Sequence, residues 1–164
     1  MSETATMLEA NAAYVDGFSE GNKPMPPARG VAAVVCMDAR IHPSEMLGLT
    51  LGDAHVIRNA GGRVSDDAIR SLIISSTLLG TKEFLVVHHT DCGMLTFSND
   101  DLRGILAERR GSDAGDIDFL PFGDLEQSVR DDIATIRASD HLDQSIPVRG
   151  FIYDVDTGAL HEVN

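Results

Sequence analysis

Apolar positions along the chain fall into two alternating patterns. Residues 31–37 (VAAVVCM), 53–60 (DAHVIRNA) and 83–88 (EFLVVH) are short runs of strand length. The first is apolar throughout, as expected of a strand covered on both faces. Between the second and third, residues 65–79 set Ile69, Leu72, Ile73, Ser76 and Leu79 on one helical face, with Ser65 as N-cap and Gly80 as C-cap. The stretch His42-Pro43-Ser44-Glu45-Met46-Leu47 suits a short helix, because proline is tolerated in a first turn. Ser98-Asn99-Asp100-Asp101 has capping-box form and should open a helix that runs to about Arg110. Residues 111–123 read as a loop, and residues 124–138 gather Leu125, Val129, Ile133 and Ile136 on a further helix. A strand at 149–155, a turn at Asp156-Thr157-Gly158 and an edge strand at 159–163 close the chain.

Strands alternating with helices predict an α/β fold with a mainly parallel central sheet flanked by helices and an antiparallel C-terminal edge. Ahead of it, residues 4–18 place Met7, Leu8, Ala12, Val15 and Phe18 at near-helical spacing, an amphipathic N-terminal helix. Residues 21–27 (GNKPMPP) form a proline-stiffened connector. Residues 1–27 therefore read as an arm and connector tied to a single domain spanning 1–164. Two domains would leave about 80 residues each, marginal for separate cores.

Composition narrows the partners. With 43% hydrophobic and 24% charged residues the chain has core material enough, and its apolar runs are too short to span a bilayer. Thirteen Lys and Arg against 26 Asp and Glu give a net charge of −13. That field repels nucleic acid and anionic membrane alike, so neither is expected as a partner. Met1-Ser2-Glu3-Thr4 lacks the basic and apolar layout of a secretory signal, so a cytoplasmic location is expected. Two cysteines, Cys36 and Cys92, make no disulfide framework in a reducing compartment. Isolated thiols most often serve as small core residues, so their neighbours must argue for anything more.

The neighbours do. Cys36 ends the first predicted strand and Cys92 follows the third, where sites collect in open parallel sheets. Two thiolates and an imidazole suit zinc, with three protein ligands and one position left open. His89-Thr90-Asp91-Cys92 lets two donors converge from one tight turn, while Cys36 arrives from a neighbouring strand. Cys36-Met37-Asp38-Ala39-Arg40 followed by His89-Thr90-Asp91-Cys92-Gly93 resembles the paired signature of the β-class carbonic anhydrases, Cys-x-Asp-x-Arg and His-x-x-Cys-Gly. Arg58-Asn59-Ala60-Gly61 extends the likeness, which is close over residues 25–100 and points to the compact prokaryotic branch.

The resemblance implies one Zn²⁺ per chain on Cys36, His89 and Cys92, with Asp38 and Arg40 as the catalytic pair. It implies CO₂ and bicarbonate as substrate and product, and a homodimer or dimer-based oligomer whose N-terminal helices embrace the partner. A helix folded back on its own subunit is the competing reading. Two departures stand out. The glutamine that plant-like members place before the first ligand is missing from Gly30-Val31-Ala32-Ala33-Val34-Val35, and no Trp is present for the inhibitory bicarbonate site of another subset.

A zinc ion on two thiolates and a neutral imidazole carries little net charge and acidifies its water less than a three-histidine site does. Arg40 is therefore expected to pair with Asp38, lowering its pKa and steering it off the metal so that it can orient the attacking hydroxide. The rivals are a carbonyl sulfide or carbon disulfide hydrolase on the same zinc site, and a non-catalytic zinc protein closed by Asp38. Around the site, Gly93 either offers an N–H to a ligand sulfur or makes a turn. His88 should face away by strand alternation, and Asp91 should stabilise its turn. His42 and His55 are candidate proton shuttles or plain surface histidines. Met37, Met94 and Leu95 read as packing, with Met94 able to line an apolar substrate pocket. Arg58 and Arg63 read as structural ion pairs, and Gly61-Gly62 as a turn.

Overall fold

In the computed structural model, which describes residues 2–112 and 114–164, five strands build one sheet. They are β1 (Val31–Cys36), β2 (Ala54–Asn59), β3 (Glu83–His89), β4 (Val148–Tyr153) and β5 (Leu160–Val163), in the spatial order β2-β1-β3-β4-β5. β1 runs parallel to β2 and β3, β3 runs parallel to β4, and β5 returns antiparallel along β4. This is the predicted architecture. The expected buried strand is β1, where residues 32–36 are all buried.

The two faces of the sheet are covered differently. Ala32 and Val34 of β1, with Phe84 and Val86 of β3, meet Val64 just ahead of α3 (Asp66–Leu79), Ala68 and Leu72 within it, and Val129 and Ile136 of α5 (Leu125–Arg137). Gly150 lets α5 lie directly on β4: a Cβ there would overlap Val129 and stand 2.7 Å from Ile133 Cδ1. The alternate residues Ala33, Val35 and Val87 point the other way, against Ile41, Cys92 and Met94. Helical cover on that face is limited to the short α2 (Pro43–Met46), and the loop residues Phe97 and Phe122 complete it. Loops in place of a second helical layer leave room for a cavity.

Caps form where the sequence placed them. Ser65 accepts from the Ala68 N–H and Gly80 closes α3 in the left-handed conformation. Ser98 and Asp101 complete a reciprocal capping box on α4 (Asn99–Arg110). The arm helix, α1 (Glu3–Asp16), has no buried residue, and Met7, Leu8, Tyr14, Val15 and Phe18 all stand exposed. It does not fold back on its own body, which removes that reading. No helix among the described residues is long and apolar enough to cross a membrane.

Candidate metal centre

Parallel pairing brings the carboxyl ends of β1 and β3 together, with Val35 opposite Val87. Cys36 is the last residue of β1 and His89 the last of β3. The chain then turns through Asp91, whose φ of 52° lies in the left-handed region, and returns Cys92 to the same place. The two sulfurs and the imidazole nitrogen lie within 4.8 Å of one another, and all three residues are buried.

The backbone beneath them is tight. Gly62 has φ +68°, and a Cβ on it would stand 2.8 Å from both the Cys36 nitrogen and the Val87 carbonyl oxygen. The Gly61-Gly62 pair, expected as a plain turn, is therefore where the segment after β2 crosses in contact with the ligand strand. Only a residue without a side chain fits there.

His89 shows most directly what the centre is for. Its Nδ1 lies 2.8 Å from the Thr90 carbonyl oxygen, which can only accept, so the proton sits on Nδ1. Nε2 is left as a bare acceptor, fully buried and without a partner among the described residues. A buried polar atom left unpaired costs about 1–3 kcal/mol. Two thiols beside that lone pair form a soft, three-donor set suited to zinc.

One of the two thiols is already biased toward ionisation. The Cys92 S–H, and then the adjacent His89 ring and the Asp38 N–H, favour the Cys36 thiolate against the opposing effect of burial, and its pKa is held down to about 4. Cys92, the donor to Cys36, is pushed up. One proton is thus shared between the sulfurs, and a cation arriving there displaces it. Burial draws the His89 pKa down, but the facing Cys36 sulfur outweighs it and the net direction is up. The N–H serving Cys92 belongs to Met94, not to Gly93 as one reading expected.

Asp38 stands at the edge of this group, its Oδ2 3.7 Å from His89 Nε2. Arg40 holds it with Nε on Oδ1 at 3.0 Å, Nη2 on Oδ2 at 2.8 Å and its own backbone N–H on Oδ1 at 2.9 Å. These bonds keep the Asp38 carboxyl well below the usual carboxylate range. Asp91 is no mere turn residue: its carboxylate accepts Arg40 Nη1 at 2.7 Å. Among the described residues Arg58 makes no ion pair and instead donates to the Cys36 and Asp38 carbonyl oxygens at 3.1 and 2.8 Å. It pins the backbone on both sides of Met37, a role that residue type alone does not announce.

The remaining candidates lie elsewhere. His88 points to the opposite face, as alternation predicts, with Nδ1 2.8 Å from Ser128 Oγ and Nε2 3.0 Å from Asp132. Arg63 forms the expected ion pair, to Asp132 at 2.9 Å. His55 lies 2.7 Å from Ser75 Oγ beside α3, and exposed His42 caps α2 without a side-chain bond. Neither lines the cavity over the three donors. That cavity has a volume of about 370 Å³ and apolar walls from Met37, Ala60, Met94 and Phe97. Met94 is buried there, whereas Met37 is 63% exposed and does not serve as packing.

The chain is similar to known proteins in sequence and fold. The carbonic anhydrase family model matches residues 31–111. β-Carbonic anhydrase 1 of Mycobacterium tuberculosis is 44% identical over 165 residues, covering 99% of each chain. The chain belongs to the β-carbonic anhydrase family. Within that family, the solved carbonic anhydrase from Streptococcus mutans matches it with a TM-score of 0.96 at 52% identity, over 100% of this chain and 99% of that one. A carbon disulfide hydrolase from Saccharolobus solfataricus is 33% identical, over 85% of this chain and 80% of its own length. The β-carbonic anhydrase fold thus accompanies both chemistries weighed from the sequence.

Proposed function

We propose that this protein catalyses the reversible hydration of carbon dioxide to bicarbonate, with one Zn²⁺ held by Cys36, His89 and Cys92. The observation that carries the reading is the unpartnered His89 Nε2, buried beside two thiols and 3.7 Å from an arginine-held carboxylate. A zinc ion bound there supplies an acidified water as nucleophile and a Lewis acid for the developing negative charge. Asp38 is the catalytic residue: its ionised carboxylate at the cavity edge would accept a hydrogen bond from the attacking water and orient that water toward the carbon of CO₂. Arg40 is a positioning residue that keeps Asp38 ionised and turned from the open ligand position. The walls of Ala60, Met94 and Phe97 receive a linear apolar molecule without offering it a competing hydrogen bond. Asp38, held ionised, is a poor resting place for the released proton, which passes through the open mouth to solvent and buffer.

We read residues 1–164 as one domain with residues 1–27 as its arm, acting in the cytoplasm as a homodimer or an assembly of dimers. The uncovered apolar residues of α1 support the dimer, and two free buried cysteines suit a reducing compartment. Similarity to a carbon disulfide hydrolase supports a second reading, hydrolysis of carbon disulfide or carbonyl sulfide at the same centre.

Stopped-flow CO₂ hydration across about pH 6.5–9, with zinc determined in parallel, tests the assignment. Turnover that disappears in Cys36→Ser is the expected result. Sulfide release without CO₂ hydration would favour the second reading, and full zinc with neither activity would mean a centre closed by Asp38.

A further inference from the structure

Asp91 has no part in the mechanism above, yet its contacts give it one. It sits in the turn between the donors His89 and Cys92, at a φ of 52° that glycine, asparagine and aspartate tolerate best. Its carboxylate accepts Arg40 Nη1 at 2.7 Å, and its main-chain carbonyl accepts Arg40 Nη2 at 3.0 Å. The same guanidinium gives Nε and Nη2 to Asp38. One planar fork is thus held at both ends, by the segment after β1 and by the turn after β3. Held from one side, a guanidinium on its flexible stem can swing and carry or release its carboxylate. Held from two, it cannot turn without breaking both sets of bonds.

We propose that Asp91 is a positioning residue that anchors Arg40, so that Arg40 keeps Asp38 off the open ligand position. This inference rests on the roles of Asp38 and Arg40 given above. The anchor lies in the ligand turn itself, so the turn that delivers two donors also fixes the residue that holds Asp38 away from them. Asp91 has a side-chain exposure of 79% and Arg40 of 46%, so water screens their pair and its removal has a limited effect.

The test uses the cobalt-substituted full-length protein, titrated with thiocyanate and followed by its visible spectrum. A swung-in Asp38 excludes the anion, so apparent affinity reports the fraction of open sites. Asp91→Gly removes the carboxylate while keeping the left-handed turn, and Asp91→Asn keeps the shape with a weaker acceptor. Asp91→Gly is expected to weaken thiocyanate binding by up to about five-fold, the scale of an exposed ion pair. Asp91→Asn should weaken it less, and Arg40→Ala more. Adding Asp38→Ala should restore anion affinity in each, because no carboxylate is then left to close the site. Affinity unchanged in Asp91→Gly would overturn the proposal, as would a deficit that persists after Asp38→Ala. Absence of CO₂ hydration by the unmodified zinc protein would instead overturn the proposed function, and the thiocyanate affinities would still be read.

Discussion

His88 and His89 are neighbours on one strand and are equally buried, but they enter opposite faces of the sheet and end in opposite states. His88 has both ring nitrogens partnered, by Ser128 and Asp132. His89 has one nitrogen on the Thr90 carbonyl and, among the described residues, no partner for the other. The arginine–aspartate pairs behind them differ in the same sense. Arg63–Asp132 is sealed, with side-chain exposures of 12% and 2%, whereas Arg40–Asp38 opens to the cavity mouth at 46% and 19%. Residue type and burial do not separate the structural histidine from the functional one. Satisfaction does: the fold completes one polar group and keeps the other for a ligand.

Exchanging the two histidines for alanine should split cleanly. His89→Ala leaves two donors, so zinc per chain and CO₂ hydration should both fall to background, as metal analysis and stopped flow will show. His88→Ala should retain zinc and lose about 1–3 kcal/mol in denaturant unfolding, because Asp132 and Ser128 lose a partner. Loss of zinc in His88→Ala would break the distinction.

Smaller effects sharpen it. Asp38→Ala should lower kcat about 100-fold while zinc content stays full, the scale of losing the group that orients the nucleophile. Asp132→Asn, on the sealed side, should cost about 3–5 kcal/mol by chemical denaturation, since Arg63 is left buried without a counter-charge. Burial opposes the ionisation of Asp132, but His88 and Arg63 outweigh it and lower the pKa. Its contribution is therefore complete above the unfolded carboxylate value of about 3.9 and is lost as pH falls through the lower folded value. Melting curves below about pH 4 should drop steeply in the parent and less steeply in Asp132→Asn. Remote from both networks, Ser98→Ala should cost about 1 kcal/mol through loss of its cap, with turnover unchanged.

Much of this was legible before any coordinate. The apolar runs and caps announced β1, β3, α3 and α4, because strand burial and capping are local consequences of local residues. Cys36, His89 and Cys92 were legible because zinc tolerates few donor types and needs them at strand ends. Strand alternation alone sent His88 to the far face. What escaped the sequence was made by the assembled sheet. Arg40 meets Asp91 across 51 residues, and only the register of β1 on β3 brings them together. Gly62 is demanded by two backbones closing over it from separate strands, and a glycine pair looks like any turn until they do. Arg58 is spent on carbonyl oxygens, which every residue has and which no motif marks.

The connector has a consequence of its own. Pro27 is buried, and the N–H groups of Ala28 and Arg29 bond to the Gly52 and Asp53 carbonyls, so the root of the arm is fixed to the body. Pro24 and Pro26 then restrict the backbone beyond that root before α1 meets anything. An arm on a stiff stalk sweeps a narrow cone, and in the dimer proposed above that would keep its local concentration near the partner high. The connector residues would thereby govern how readily the arm engages there. Pro24→Gly with Pro26→Gly would then widen the cone and weaken that proposed assembly.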